Sequence, residues 1–283
     1  MHFRTPMALS EKESKQIIDF VKKEPRTIQE ISLNIGRSWV TTEAYVHQVS
    51  QTTGLISVKG FRKGSRSSIK LVYYNSSESM QGDSLKSELY DMIKAGRNKN
   101  DFDFMEVFQF VDVKKKKHLI LTDTEGNQGG NLAVLFRQAK ESVLCFSGNL
   151  SFLNLRYGKV KIIDLVEDAV RRGVTVRIIC RVNLASMNNI RKLEPILRKY
   201  QNSIEIRHRY QPLRGFIIDN QVARFANEEQ LKLYKQGELE KDTLIFYEIY
   251  DPEWIAWLQK AFWQLWRPSI DYDLRFREIK RLQ

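Results

Sequence analysis

The residues of this chain best suited to chemistry on a phosphate lie in the segment IEIRHRYQPLRGFIID, residues 204–219. Arg214 carries a planar fork of donors that suits phosphate or carboxylate, and Asp219 places a carboxylate beyond the apolar run GFII. Covalent phosphoryl transfer needs two further groups: a nucleophile activated near neutral pH and an acid to protonate the leaving oxygen. Two residues before Arg214 stands Pro212, which cannot attack phosphorus. His208, four residues upstream of Pro212, would need a register shift or bulge to take that place. No catalytic residue is assigned, therefore. Arg214 and Asp219 are carried as a candidate ligand or anion site, with a plain surface ion pair as the alternative.

A second chemical cluster is basic. Lys59, Arg62, Lys63 and Arg66 fall on or beside the loop FRKGSR, and the chain as a whole carries a net charge of +12. That balance favours a polyanionic partner, although solubility or a lipid headgroup would also account for it. The four histidines show no metal-ligand spacing, and neither a metal nor a cofactor is expected. Cys145 and Cys180 sit in the strand-like runs SVLCFSG and VRIICRV, where a small buried thiol is the ordinary reading. The apolar runs fall short of the roughly 20 residues of a membrane span. The start MHFRTPMALSEKE has no apolar core for a signal peptide, so a cytoplasmic protein without membrane contact is expected.

The elements that must position these groups begin at Ser10. The stretch SEKESKQIIDFVKKEP predicts a helix capped by Ser10, with Glu11 and Glu13 in its first turn and Ile17, Ile18, Phe20 and Val21 as its apolar face. Pro25 ends it. Thr27 and Glu30 form the capping pattern of a second helix, with Ile28, Ile31, Leu33 and Ile35 on its buried side, and Gly36 supplies the turn. Ser38 opens a third helix in which Val40, Ala44, Tyr45 and Val49 are expected inside. That leaves Arg37, Ser38, Thr41, Thr42, His47 and Gln48 more exposed. Two strand-like runs, LISVKG and SSIKLVYYN, bracket the basic loop. Three short helices followed by a basic hairpin are the order of a winged helix-turn-helix domain, whose third helix lies in the major groove while the hairpin tip meets the backbone. The candidate DNA contacts are Arg37, Ser38, Thr41, Thr42, Lys59, Arg62, Lys63 and Arg66. A solvated hairpin on a protein-binding winged helix is the alternative.

Residues 76–84 are small and polar and read as a linker. Leu85, Leu89, Met92 and Ile93 then recur at helical spacing, and this region is assigned to linkage and dimerisation by its position. The run Lys114–Lys117 reads first as a solvated face, and DTEGNQGGN lacks the Gly-Lys-Ser ending of a P-loop. From about residue 130 helices and strands alternate, which predicts an α/β domain with near-continuous apolar strands. Trp254, Trp257, Leu258, Ala261, Phe262 and Leu265 make an amphipathic stripe in the last helix, read as packing. The expected layout is a winged helix-turn-helix domain over 10–75, a linker region over 76–129, an α/β domain over 130–269 and a tail over 270–283.

The segment VEDAVRRGVTVRIICRV resembles the helix, Arg-Gly-Val and strand unit of phospholipase D-like domains; LRGFIID followed by a polar turn and VARF resembles their motif strand, and FWQLW their closing helix. Aligned with the H-x-K-x-x-x-x-D motif of that superfamily, Asp219 takes the acidic position, Arg214 the lysine position and Pro212 the histidine position. Joined to a winged helix, this order is similar to the TrmB-like transcriptional regulators of archaea. The resemblance implies an inactive phospholipase D-like domain, homodimers, and a small effector, often a sugar, that alters affinity for double-stranded DNA. The leading expectation is a sequence-specific dimeric transcriptional regulator. The alternatives are an architectural DNA-binding protein with little sequence preference, a nuclease or phosphodiesterase of the phospholipase D type, and a transcription-factor subunit whose winged helix contacts protein.

Overall fold

The computed structural model describes residues 9–62, 68–74, 84–121 and 130–281, which fall into two compact units divided at Gly82 and Asp83.

In the N-terminal unit, helix α1 (Glu11–Lys23) starts where Ser10 and Glu13 form a reciprocal capping box. Strand β1 (Arg26–Thr27) leads into α2 (Ile28–Ile35), capped in the same way by Thr27 and Glu30. Each box satisfies amide donors that the first helical turn would otherwise leave without partners. Gly36, at a φ of 65°, ends α2 in the left-handed conformation that a residue without Cβ adopts at little cost. Helix α3 (Trp39–Thr53) follows, then β2 (Ile56–Arg62) and β3 (Ser68–Tyr74), antiparallel with Val58 opposite Val72. Strand β1 pairs with β3 on its other edge, giving the order β1-β3-β2.

The core of this unit is Ile17, Val21, Ile28, Ile31, Tyr45, Val46, Val49, Ile56 and Val72. It corrects the expected phase of two helices. In α3 the buried stripe is Thr42, Tyr45, Val46 and Val49, at i, i+3, i+4 and i+7, while Val40 is 72% exposed and Ala44 is exposed. Two apolar stripes compete on this helix. The one with Tyr45, Val46 and Val49 has more to bury, so it turns inward and takes Thr42 with it. In α2, Leu33 faces solvent for the same geometrical reason, since Ile28 and Ile31 define the inner face.

The C-terminal unit is an eight-stranded mixed sheet flanked by helices. Its elements run α4 (Ser84–Ala95), α5 (Met105–Phe108), β4 (Lys116–Leu121), α6 (Gly130–Gln138) and β5 (Ser142–Phe146). A short hairpin, β6 (Arg156–Tyr157) and β7 (Val160–Lys161), precedes α7 (Ile162–Arg171), β8 (Thr175–Cys180), α8 (Met187–Lys199) and β9 (Ile204–His208). The hairpin β10 (Gly215–Ile218) and β11 (Val222–Glu229) follows, then β12 (Thr243–Ile249), α9 (Pro252–Trp266), β13 (Ile270–Asp271) and α10 (Tyr272–Lys280). The strand order is β13-β9-β8-β5-β10-β11-β12-β4, with β5, β8 and β9 parallel and the remaining pairs antiparallel. Crossover helices α7 and α8 leave β5 and β8 buried on both faces, which is why these two strands read as near-continuous apolar runs, whereas β9 alternates buried and half-buried residues.

One face of this sheet packs Val143, Cys145, Val176 and Ile178 against Phe136, Val166 and Ile190 of the helices. Helix α9 carries the predicted stripe inward, and Phe262 meets Phe146 of β5 edge to face at 5.1 Å. Cys145 and Cys180 are buried, and burial raises both thiols, Cys180 to about 12 and Cys145 well above its ordinary value. No helix among the described residues is long and apolar enough to cross a membrane.

Two boundaries differ from the expected layout. The described part of the linker region is built into the α/β unit: Leu89 and Ile93 of α4 are buried, Phe104 stacks on Phe225 at 4.1 Å, and β4 is an outer strand of the sheet. Met92, expected on the inner stripe of α4, is 38% exposed. The expected tail is likewise structural, since β13 pairs with β9 and Phe276 and Ile279 of α10 join the core. The sequence SIDYDLRFREIK is too polar to announce this.

Candidate nucleic-acid interface and the cavity beside the motif strand

On the N-terminal unit, Ser38 caps α3 through its hydroxyl, which accepts from the Thr41 amide at 3.2 Å and pairs with the Thr41 hydroxyl at 2.8 Å. Arg37 donates from Nε to Glu13 Oε1 at 2.8 Å and so ties the start of α3 to α1. Hydrogen bonds from the Ser10 side chain and amide, and then from Arg37, hold the Glu13 carboxyl at about 2. Thr42 is fully buried, which removes it from the candidate contacts. Three of the four expected contacts around α3 are therefore exposed or half-buried, and each of those three also serves the fold.

Lys59 and Arg62 lie on β2, and their side chains are outside the described residues, as are Lys63 and Arg66 entirely. A further cation emerges from the structure on β3. Lys70 forms an ion pair with Glu43 and lies 6.0 Å from the centroid of the Trp39 ring. Nothing in the linear sequence links position 70 to 39 and 43; the packing of β3 beside α3 does. What remains open on α3 is the face made by Val40, Ala44, His47 and Gln48, all exposed. Their side chains make no hydrogen bond, ion pair or ring contact among the described residues.

In the C-terminal unit, the expected pair Arg214 and Asp219 is separated by the whole of β10, about 16 Å at the usual rise of a strand. The carboxylate of Asp219 accepts three backbone amides, from Lys140 at 2.7 Å, Glu141 at 2.8 Å and Ser142 at 2.9 Å. Its own amide donates to the Ser142 carbonyl at 3.0 Å. Asp219 and Asn220 take positive φ values of 50° and 61° in the β10–β11 turn, a conformation that short polar side chains tolerate. Asp219 thus pins the turn to the start of β5. It forms no joint anion site with Arg214.

Arg214 instead lines a cavity of about 510 Å³ near the ends of β5, β8 and β10. Its Nη1 donates to Glu228 Oε2 at 2.9 Å, and Lys99 Nζ reaches the same oxygen at 2.7 Å. Burial would raise the Glu228 carboxyl, but hydrogen bonds from Lys99, Gln230 and Arg214 outweigh it and hold the group at about 2. Arg181 also lines the cavity and donates to Asn98 Oδ1 at 3.0 Å, while Arg224 pairs with Glu248 at 2.7 Å. Pro212 is buried in this wall, where a Cβ on Gly96 would meet its ring at 2.6 Å. Gly215 is required beside it, because a Cβ there would sit 2.4 Å from the Arg224 carbonyl oxygen. Lys99, Arg181 and Glu228 were missed by sequence reasoning because three distant segments bring them together, and no local pattern marks them.

His208 is not at this cavity. It lies on β9, separated from β10 by both β8 and β5, and is 6% exposed, with Nδ1 accepting from the Val182 amide at 2.9 Å. Burial first, and then the nearby Arg275, lower its pKa and favour the neutral ring. The run Lys114–Lys117 also differs from a simple solvated face: Lys115 pairs with Asp251, and Lys116 donates to the Phe108 carbonyl.

No protein-family model matches the chain, and no curated protein matches it. Solved structures do. TrmBL2, an archaeal chromatin protein whose structure is described as showing a novel mode of DNA binding, aligns over 93% of this chain and 94% of its own, at 16% identity and a TM-score of 0.42. The phospholipase D family member Nuc from Salmonella typhimurium aligns over 56% of this chain and 99% of its own, at 17% identity and a TM-score of 0.40. NucT from Helicobacter pylori covers the same shares at 16% identity and a TM-score of 0.41. Likenesses at this level transfer neither activity nor residue roles.

Proposed function

We propose that this protein is a sequence-specific, double-stranded DNA-binding transcriptional regulator that acts as a homodimer in the cytoplasm. The observation that carries the proposal is α3. It stands third in a unit of three helices and a hairpin with the strand order β1-β3-β2, and its outward face is exposed and engaged with nothing else described. In such a unit the third helix enters the major groove and the hairpin meets the backbone. The net charge of +12 and the cluster Lys59, Arg62, Lys63 and Arg66 suit a polyanion.

The α/β unit serves dimerisation, effector binding or both, and does not catalyse. Pro212 packs on Gly96 where a nucleophile would be needed, His208 is buried on β9 with β8 and β5 between it and β10, and Asp219 is held by three amides. The cavity lined by Arg214, Arg181 and Lys99 is the place an effector would enter. Hydrolysis of a phosphodiester by the purified protein, abolished in His208→Ala, would contradict this part.

Replacing Arg62, Lys63 and Arg66 by Gln tests the interface. Each phosphate contact contributes about 0.9 to the slope of log affinity against log salt. The triple variant is expected to bind duplex DNA at least tenfold more weakly and to lose about 3 from that slope. Unchanged affinity and slope would move the DNA surface away from the hairpin.

A further inference from the structure

The open face of α3 consists of Val40, Ala44, His47 and Gln48, spaced i, i+4, i+7 and i+8 so that they share one side of the helix. Its composition is informative. Helix α3 contains no Lys or Arg, and its one acidic residue, Glu43, is engaged by Lys70. Thr41 is paired with Ser38, Thr42 is buried, and the Trp39 ring lies beside the Lys70 ammonium. The groups left to meet base edges are two small aliphatic side chains, an imidazole and a primary amide.

The major groove distinguishes base pairs by their edges. Guanine is read chiefly by Arg or Lys at O6 and N7, and cytosine by a carboxylate at N4. Helix α3 offers neither, and Arg37 just before it is committed to Glu13. Adenine is read by a Gln or Asn that bonds N6 and N7 together, and thymine by apolar contact with its 5-methyl group. Gln48 fits the first, and Val40, 72% exposed, with Ala44 one turn on, fits the second. His47 can hydrogen-bond either kind of pair and does not discriminate.

We infer that α3 is a reader of A·T base pairs, in which Val40 and Ala44 contact thymine methyl groups and Gln48 recognises adenine. The inference rests on the DNA-binding reading above and adds the base class that the recognition helix selects. Affinity on this view comes from the cationic hairpin, whereas discrimination comes from a neutral helix.

The test uses the full chain and three duplexes of 30 base pairs, alternating AT, alternating AU and alternating GC, titrated by fluorescence anisotropy at fixed salt. Uracil differs from thymine only by the methyl group. The AT duplex is expected to bind at least tenfold tighter than GC, with AU several-fold weaker than AT. Val40→Ala should shrink the AT-to-AU ratio towards one, and Gln48→Ala should shrink the AT-to-GC ratio. A general preference for the shape of A·T-rich DNA would leave both ratios unchanged in these variants and would overturn the assignment, as would equal binding of AT and AU by the parent protein. If none of the three duplexes binds even at low salt, the DNA-binding reading itself fails and the inference falls with it. Both substituted side chains are exposed, so circular dichroism should show unaltered folding.

Discussion

On the outward face of α3, Val40, Ala44, His47 and Gln48 keep their side chains out of every described hydrogen bond, ion pair and ring contact, whereas in the segment 204–219 the groups best suited to chemistry are held by the rest of the chain. Asp219 accepts three amides, Arg214 is shared with Glu228, and His208 accepts from Val182. Both regions carry polar residues in suggestive order. Residue type made the segment 204–219 look the more reactive of the two, yet among the described residues of these two regions it is the α3 side chains that no such contact engages. A motif fragment whose side chains satisfy the fold's own donors and acceptors acts as structure, while unremarkable residues left exposed on a helix face are available to a partner.

That contrast can be broken most severely at Asp219. Asp219→Ala removes the acceptor of three amides and leaves alanine at positive φ, and a loss of about 3 kcal/mol is expected in urea unfolding. DNA affinity should not change under native conditions. Asp219→Asn, which tolerates the turn and keeps one side-chain oxygen, should lose about half as much. Stability equal to the parent in the Ala variant would show that the clamp contributes nothing and reopen a ligand role for this carboxylate.

A smaller effect is expected from acid. Glu228 is held at about 2 in the folded unit, below the 4.5 of an unperturbed carboxyl. Between these values the unfolded chain binds the proton and the folded chain does not, so the contribution is complete above about pH 4.5 and is lost as pH falls towards 2. Trp254, Trp257, Trp263 and Trp266 all lie on α9, so their fluorescence reports unfolding of this unit. Glu228→Gln should flatten the acid limb of its stability profile; an unaltered limb would show that Lys99 and Arg214 do not depend on this carboxylate.

The smallest effect should come from the open face. Val40→Ala is expected to change stability by less than about 0.5 kcal/mol, because the side chain is largely in water and alanine is the better helix former. A larger loss would mean that Val40 packs against something and is not free for DNA.

The local grammar of the chain was legible where a short-range mechanism enforces it. Ser10 with Glu13, Thr27 with Glu30, Ser38 before α3 and Gly36 after α2 each act within four residues, and all stand where sequence placed them. The α9 stripe was legible because its aromatic residues leave one face to bury. The phase of α3 was not, since Val40 and Ala44 compete with Val46 and Val49 and only the packing partners decide. Nor was the separation of Arg214 from Asp219: linear spacing suggests proximity, but an extended strand carries its two ends apart. Lys99, Arg181 and Glu228 meet only because of tertiary topology, and α10 is amphipathic too weakly to be distinguished from a tail.

On the proposed function, the exposed face of α3 and the basic hairpin select particular duplex sequences. Fragmented genomic DNA passed over the purified full chain at physiological salt, with the retained fragments sequenced, tests it most directly. Discrete sites with two related halves, rich in A·T pairs and lying upstream of a few genes, are the predicted result. Even coverage of the genome, unmoved by competition with unrelated DNA, would contradict it and establish an architectural protein in place of a regulator.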